Sequence, residues 1–536
     1  MSGTWRPGRD PQAVRHPSPP GARRLVGARR QVVVAGGGIA GIAAAVGLAE
    51  RGVDVVLIER HPQLGGRVRS WPVPPDDDPM NQDGRTMSRG FHAFFRQYYN
   101  LRNLIRRVDP ALTNLVGVPD YPLVLAGGHT DSFAKMPRTP PANLAAFVTR
   151  SPSFTVRDLT KVDIGAALEL LDVNFPGTFS TYDGESAEQF LDRLRFPAGA
   201  RHLALEVFAR SFFAHPSQFS AGELVAMFHT YFVGSSEGLL FDVPTDDYDT
   251  VLWAPLRRYL ESCGVRVRTG STVAAVDVAS PGGVRLTIEN GGATIELLAD
   301  AVVLATDPAT TRRLVSGSAG LGDPGWRQRV LGTTNAPRFA VWRLWLDRPV
   351  NAERRAFLGT SGFGPLDNVT VLERFEAGAR AWAAHRHGSV VEVHAYAVSD
   401  DRTEEELRAD LRQQLARVYP ETAGAQVVSS QWLVNEDCPL IDTAPWASRP
   451  EVETPDPRVL LAGDGIRCDL PVALMERAAT TGFLAANTLL GSWGVAGHDL
   501  WTVPMKGRIP AVAALRRLTR YPGNSPRLRK RYRRSA

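Results

Sequence analysis

The sequence predicts an α/β fold: a discontinuous dinucleotide-binding domain around a parallel sheet, with a second α+β domain inserted into it. Three observations carry this reading. The β-branched run Val32-Val33-Val34-Ala35 enters a glycine-rich turn and then an alanine-rich segment. The apolar run Val459-Leu460-Leu461-Ala462 enters Gly463-Asp464-Gly465 near the other end. Between them, residues 250–303 add helix, strand and hairpin signals.

The front unit is Rossmann-like in its order. Residues 32–35 are continuously apolar, as in a strand buried on both faces. Gly36, Gly38 and Gly41 then satisfy G-x-G-x-x-G. The first glycine permits a tight turn, the second lets backbone approach a pyrophosphate, and the third lets helix and strand pack closely. A helix over residues 39 to about 51 turns its N-terminal N–H groups to the phosphates, and Gly52 stops it. A second strand over 53–58 ends at Glu59, 18 residues after Gly41, where a carboxylate accepts both ribose hydroxyls. Leu64-Gly65-Gly66-Arg67 follows. Gly66 permits close passage of backbone, and Arg67 reaches a pyrophosphate oxygen. This combination is typical of FAD proteins rather than NAD ones. The glycine motif recurs at Gly320, Gly322 and Gly325, but no strand precedes it and Pro324 lies inside it, so it reads as a loop.

At the back, Asp464 follows a buried strand and is placed against the ribityl hydroxyls of FAD, with Gly463 at the turn. The next helix, about 474–490 and closed at Gly491, aims its N-terminus at a reduced flavin ring. The middle block reads as a helix at 253–263, strands from 264 and 272, a hairpin turn at Glu289-Asn290-Gly291-Gly292 and a strand over 300–305. Val273 of this block is a further cofactor contact.

The chain of 536 residues with 43% hydrophobic content is ample for packed cores. Three isolated cysteines, Cys263, Cys438 and Cys468, exclude a disulfide scaffold, argue against structural zinc and fit a reducing compartment. The net charge of +6 resides in the ends. Residues 1–30 carry 7 Arg against Asp10, and residues 505–536 carry 11 Lys and Arg with no acid. The body between is acidic, which removes the motive for nucleic-acid binding. Residues 32–49 are uncharged and follow Arg29-Arg30, as in a twin-arginine signal or a membrane span. The glycines at the start and Glu50-Arg51-Gly52 at the end argue against both.

Across about residues 31–495 these motifs resemble the flavin-containing amine oxidase and phytoene desaturase superfamily, which implies its GR2-type FAD-binding domain. A closer resemblance lies in Met87-Ser88-Arg89-Gly90-Phe91-His92-Ala93-Phe94-Phe95-Arg96-Gln97-Tyr98-Tyr99-Asn100. It continues in Glu237-Gly238-Leu239-Leu240-Phe241-Asp242-Val243-Pro244 and in Gly463-Asp464-Gly465-Ile466-Arg467-Cys468-Asp469-Leu470-Pro471. These are similar to the bacterial carotene desaturase/methyltransferases, the isorenieratene synthases. One departure is Glu476-Arg477-Ala478, where the superfamily often has Glu-Gly-Ala; the bulk of Arg477 bears on the flavin contacts there.

The resemblance implies an FAD-dependent oxidoreductase that desaturates a β-carotene-type ring twice, with a 1,2-methyl shift and proton losses, giving an aromatic end group. The flavin takes hydride; the protein holds the ring, excludes water and offers a base. His92 is the candidate catalytic base, against the competing reading of a hydrogen-bonded structural histidine. Glu476 and Asp469 are further candidates, Asp469 also as a helix cap. Phe91, Phe94, Phe95, Tyr98, Tyr99, Phe208, Phe212, Phe213, Phe228, Tyr231, Phe232 and Phe241 either line a long apolar tunnel or fill cores. Neither a metal nor a second dinucleotide is expected. His385-Arg386-His387 reads as an exposed turn, and Gly234-Ser235-Ser236-Glu237-Gly238 lacks the strand and helix of a hydrolase elbow.

The basic ends over 509–521 and 527–534 suit an anionic membrane surface, or are a solvated tail. The expected location is cytoplasmic and peripheral to the membrane, where a lipophilic carotenoid resides. No motif specifies the redox acceptor. Alternatives are a linear-carotene desaturase or isomerase, an amine oxidase on a soluble substrate, and a non-catalytic flavin or carotenoid carrier. The domain plan is a basic lead without regular structure (1–30), cofactor-domain segments at 31–110, 246–310 and 456–495, substrate-domain segments at 111–245 and 311–455, and a basic tail (496–536).

Overall fold

The computed structural model describes residues 10–27, 29–74, 84–134, 136–138, 140, 142–204, 212–279, 282–318, 320–509 and 512. Five parallel strands form its central sheet, in the order Arg266–Arg268, Asp54–Ile58, Gln31–Ala35, Ala301–Leu304, Val459–Leu461. Val33 lies opposite Val56 on one side and Val302 on the other, and Val303 lies opposite Leu460. The front, middle and back of the chain therefore share one sheet.

Both faces of this sheet are covered, which is why its strands other than the edge strand Arg266–Arg268 read as apolar runs. Successive residues alternate between two cores. Val32, Val34, Val55, Leu57 and Val303 pack with the helices Ile39–Ala49 and Leu474–Ser492. Val33, Val56, Val302 and Val459 pack instead with Val273, Leu286 and Ile288 of an antiparallel sheet and with Leu314 and Trp326. That sheet comprises Ser271–Asp277, Val284–Asn290 and Ala293–Ala299. The two helices cross at small residues: a Cβ on Gly482 would lie 2.2 Å from the Ala40 carbonyl oxygen.

A seven-stranded sheet runs in the order Val427–Asn435, Arg338–Leu346, Ser389–Val398, Asn368–Val371, Phe357–Ser361, Leu123–Leu125, Thr130–Asp131. Its neighbours are antiparallel except Phe357–Ser361 with Leu123–Leu125. One face packs on Leu407, Leu411 and Leu415 of the helix Glu404–Val418, which opens with a Thr403/Glu406 capping box. Short helices between residues 142 and 233 complete the fold.

Several features differ from the sequence reading. The lead carries regular structure: Val14–His16 pairs antiparallel with Leu500–Thr502. Asp10 is buried and accepts hydrogen bonds from Ser235 and Tyr99. A three-residue strand within a Pro- and Arg-rich stretch offers too short a pattern to read. The Gly320 motif is not all loop: its last two residues open a helix, Pro324–Leu331, capped by Asp323. Proline at the first helical position is favourable, because its missing N–H would have no partner there. The boundary expected between 310 and 311 falls inside the helix Pro308–Gly317, whose Leu314 and Val315 join the core under the parallel sheet. The last long helix continues through Gly491 to Ser492. No helix among the described residues is long and apolar enough to cross a membrane. The basic clusters beyond residue 512 lie outside the described residues, as does Phe208.

Candidate active site

One cavity runs from the central sheet to the seven-stranded sheet. Gly36, Gly38, Glu59, Gly66, Arg67, Val273, Gly463 and Asp464 all line it, and so does His92. Gly41 does not. It serves the turn instead: a Cβ there would lie 1.8 Å from the Gly36 carbonyl oxygen. Gly36 itself sits at φ +107°, a backbone region that glycine enters without penalty.

Each polar group of the cradle is held in place. Glu59 is buried at the end of its strand, and its carboxylate accepts from the Gly37 N–H (2.7 Å) and the His61 N–H (2.8 Å). A carboxylate offers about four acceptor positions, so capacity for ribose hydroxyls is left. The Gly65 N–H donates to the Gly37 carbonyl, and Trp253 Nε1 donates to the Val68 carbonyl, pinning the second glycine loop beside the first. The Gly463 N–H donates to Thr481 Oγ1, which ties the back turn to the helix behind it. Arg67 and Asp464 form an ion pair within the cleft. Leu474 and Met475, the first residues of the last long helix, line the same cavity.

Arg60, His61, Arg69 and Arg89 also line the cavity, with Asp437 paired to Arg89. Burial first, and the neighbouring arginines second, push His61 down to about 4 and Arg69 down to about 10.

The far lobe is aromatic. Phe91 stacks on Phe357 with centroids 4.1 Å apart, and Tyr121 stacks on the same ring at 5.2 Å. Phe95 meets Tyr231 edge-on at 4.7 Å. Of the aromatics singled out in the sequence, Phe91, Phe95, Tyr98, Phe213, Tyr231 and Phe241 line the cavity. Phe94, Tyr99, Phe212, Phe228 and Phe232 do not line it.

His92 hydrogen-bonds through Nδ1 to the Gly90 carbonyl at 2.8 Å, and its N–H donates to the Tyr248 hydroxyl. Burial pushes its pKa down to about 4. Glu476 faces elsewhere. It is buried and accepts from the Asn100 and Leu101 N–H groups, satisfying the start of the helix Tyr99–Ile105. Burial pushes its pKa up to about 8. Asp469 does not cap the last helix, whose N-cap is Ala473, without a side-chain bond. Arg477 does not line the cavity: its guanidinium pairs with the buried Glu223 and donates to the Val472 carbonyl. Its Nη1 also donates to the Asp464 carbonyl at 3.3 Å, so it backs the turn that carries Asp464 without entering the cavity. Ser235 is likewise buried on Asp10. Among the described residues, no group of three or more His, Cys, Asp or Glu could hold a metal ion.

Two cavity groups escaped the sequence reading, His394 and Tyr396, which are joined by hydrogen bonds to each other and to the buried Glu392 behind them. Polar residues at every second place in the apolar run Val390-Val391-Glu392-Val393-His394-Ala395-Tyr396 were the available signal.

Residues 39–490 match the family of flavin containing amine oxidoreductases. The chain belongs to this family. Within its range of relatives, the chain is 53% identical to the carotenoid phi-ring synthase of Streptomyces griseus, over 96% of this chain and 97% of that protein. It is 26% identical to the carotenoid phi-ring synthase of Chlorobaculum tepidum, over 89% and 91% of the two chains. Among solved structures, putrescine oxidase bound to putrescine shares the fold, with a TM-score of 0.62 at 16% identity over 87% of this chain and 99% of that one. As a member of the flavin family the chain is an oxidoreductase with FAD as its cofactor. The cradle fits that group: a strand-end carboxylate, a glycine turn, an arginine and a distal aspartate stand along one cleft.

Proposed function

We propose that this flavoenzyme desaturates the β-ionone ring of a carotene and moves one methyl of the gem-dimethyl carbon to its neighbour, leaving a φ-type aromatic end group. The observation that carries the reading is the continuity of one cavity from the FAD cradle into an aromatic lobe. The two phi-ring synthases among the relatives support the substrate class.

FAD, when bound, supplies a hydride acceptor. The remaining work falls to the chain. Glu59, Arg67 and Asp464 orient the cofactor at ribose, pyrophosphate and ribityl groups. Phe91, Tyr121, Phe241 and Phe357 exclude water that would trap a ring cation, and their π faces favour that cation. His92 spends its Nδ1 proton on Gly90, which leaves Nε2 to accept a proton from the ring. Such a base is unprotonated, and competent, at neutral pH. Delivery of the carotene from a membrane surface accords with the basic ends of the sequence.

The test is expression in cells that accumulate β-carotene, with mass and absorption spectra of the extracted pigment. Loss of four hydrogens per ring with no loss of carbon is expected. Unchanged β-carotene beside a flavin-loaded protein would overturn the reading. Parallel cells supplying lycopene or phytoene, and peroxide assays with amines, identify a linear desaturase or an amine oxidase.

A further inference from the structure

A ring that becomes aromatic by this route gives up two hydrides and two protons. A single base would have to be emptied between the two proton losses. We propose that Tyr396, coupled to His394 and Glu392, accepts one of these protons, and His92 the other. The proposal rests on the ring-aromatising reading above.

Glu392, His394 and Tyr396 alternate along the strand Ser389–Val398, so the two-residue period puts them on one face. His394 Nε2 lies 2.9 Å from Glu392 Oε1, and His394 Nδ1 lies 2.6 Å from the Tyr396 hydroxyl. An ionised carboxylate only accepts, so Nε2 carries the imidazole proton and Nδ1 accepts from Tyr396. The Phe91 N–H also points at Nε2, at 3.3 Å; the shorter carboxylate contact decides the tautomer. Burial works against ionisation of Glu392, but Arg343 overrides it and holds the carboxyl at about 2. Arg343 does so through two donors, Nε at 2.9 Å and Nη2 at 2.8 Å from the same oxygen. Asn368 Nδ2 donates to the Tyr396 oxygen at 2.9 Å, which favours negative charge there. The Phe213 ring meets Tyr396 edge-on at 4.8 Å and fixes its orientation. Tyr396, His394 and His92 all line the one cavity.

The arrangement repeats the logic of a hydroxyl–imidazole–carboxylate triad, with a phenol in place of the serine. After hydride has left the ring for the oxidised flavin, a C–H bond beside the cation breaks. Its electron pair becomes the new ring double bond and cancels the cation. The proton goes to the Tyr396 oxygen as the phenol's own proton passes to His394 Nδ1. The imidazolium so formed is balanced by the Glu392 carboxylate. His394 and Glu392 are positioning residues; Tyr396 is the group that meets the ring.

The test takes FAD-loaded enzyme with β-carotene in phosphatidylcholine vesicles, follows flavin bleaching without oxygen, then adds a quinone that reoxidises the flavin for the second hydride transfer and measures the pigment mass. Tyr396→Phe removes one oxygen and keeps the ring against Phe213. Unchanged FAD affinity and melting temperature are expected, with bleaching retained and aromatic product reduced by about 100-fold or more, the usual size of a lost general base. His394→Gln should match it, and the double variant should be no worse than either single one, because the groups act as a unit. Aromatic product within a few-fold of wild type, bleaching lost in step with product, or additive losses in the double variant would each overturn the relay. Wild-type enzyme that neither bleaches nor converts β-carotene is a different outcome, and rejects the ring-aromatising reading itself.

Discussion

Arg67 and Asp464, 397 residues apart in the chain, meet as an ion pair inside one cleft. Arg67 belongs to the loop after the front βαβ unit, and Asp464 to the turn after the last strand of the same sheet. On the proposed reading, Arg67 would serve the pyrophosphate and Asp464 the hydroxyl groups of the cofactor, and the pair neutralises both charges until then. A hydrogen bond to a charged group contributes about 1.5–3 kcal/mol. Arg67→Met is therefore expected to weaken FAD binding by about 10–100-fold, measured by fluorescence titration of the apoprotein. An unchanged dissociation constant would remove Arg67 from the cofactor site.

Two glycines of one motif should fail in different ways. An added Cβ at Gly38 meets only Gly66 Cα, at 3.7 Å, which is ordinary contact. Gly38→Ala should therefore fold with a melting temperature near wild type. Its methyl would stand where the pyrophosphate approaches, so FAD affinity should fall by more than about tenfold, or ~1.4 kcal/mol. Gly41→Ala has no such freedom, because its Cβ would enter the Gly36 carbonyl. That variant should lose stability by about 1–3 kcal/mol or more, since backbone cannot yield as a side chain does. Equal melting temperatures for the two variants would contradict this division.

The cofactor cradle was legible because its signals are local. Strand, glycine turn, helix and acid follow one another within thirty residues, and each fixes the next. Val459–Leu461 and Gly463 repeat the pattern, so the sheet could be assembled from separated pieces. The aromatic end of the cavity, with His394 and Tyr396, was not legible in the same way. It is built by long-range register: Arg343 lies opposite Glu392, and Val341 opposite His394, across two strands of the seven-stranded sheet. Tyr121 and Phe357 reach the cavity from two further segments. Nothing within a short window distinguishes such aromatics from core. Glu476 misled for the opposite reason: a conspicuous acid near the cofactor turn proved to serve the N-terminus of another helix.

The buried pair beneath the relay should dominate local stability. Arg343 and Glu392 are both almost wholly removed from solvent. Deleting one partner leaves the other charge buried without its counter-ion, which costs about 3–5 kcal/mol. Arg343→Met should lower the unfolding free energy by that amount in denaturant titrations. Adding Glu392→Leu should recover a large part of the loss, because an apolar pair of similar volume needs no counter-ion. A double variant less stable than Arg343→Met would show that the pair is not the source of the effect.

Acid should destabilise the protein through its buried histidines, of which His229 is the clearest case. It is fully enclosed, and its Nε2 hydrogen-bonds to the Pro504 carbonyl at 2.7 Å. Burial pushes its pKa from 6.5 down to about 4. The folded state thus holds the neutral ring where the unfolded chain takes up a proton. The stabilising contribution is complete above pH 6.5 and is lost as pH falls toward 4. A shift of that size corresponds to about 3 kcal/mol across the window. His92 and His498 are pushed down by burial in the same direction, so the wild type should lose more than His229 alone accounts for. Gln keeps a donor for Pro504 and does not titrate. The difference in unfolding free energy between pH 7 and pH 4.5 should accordingly be smaller in His229→Gln than in the wild type. Equal differences would place the acid sensitivity in other groups.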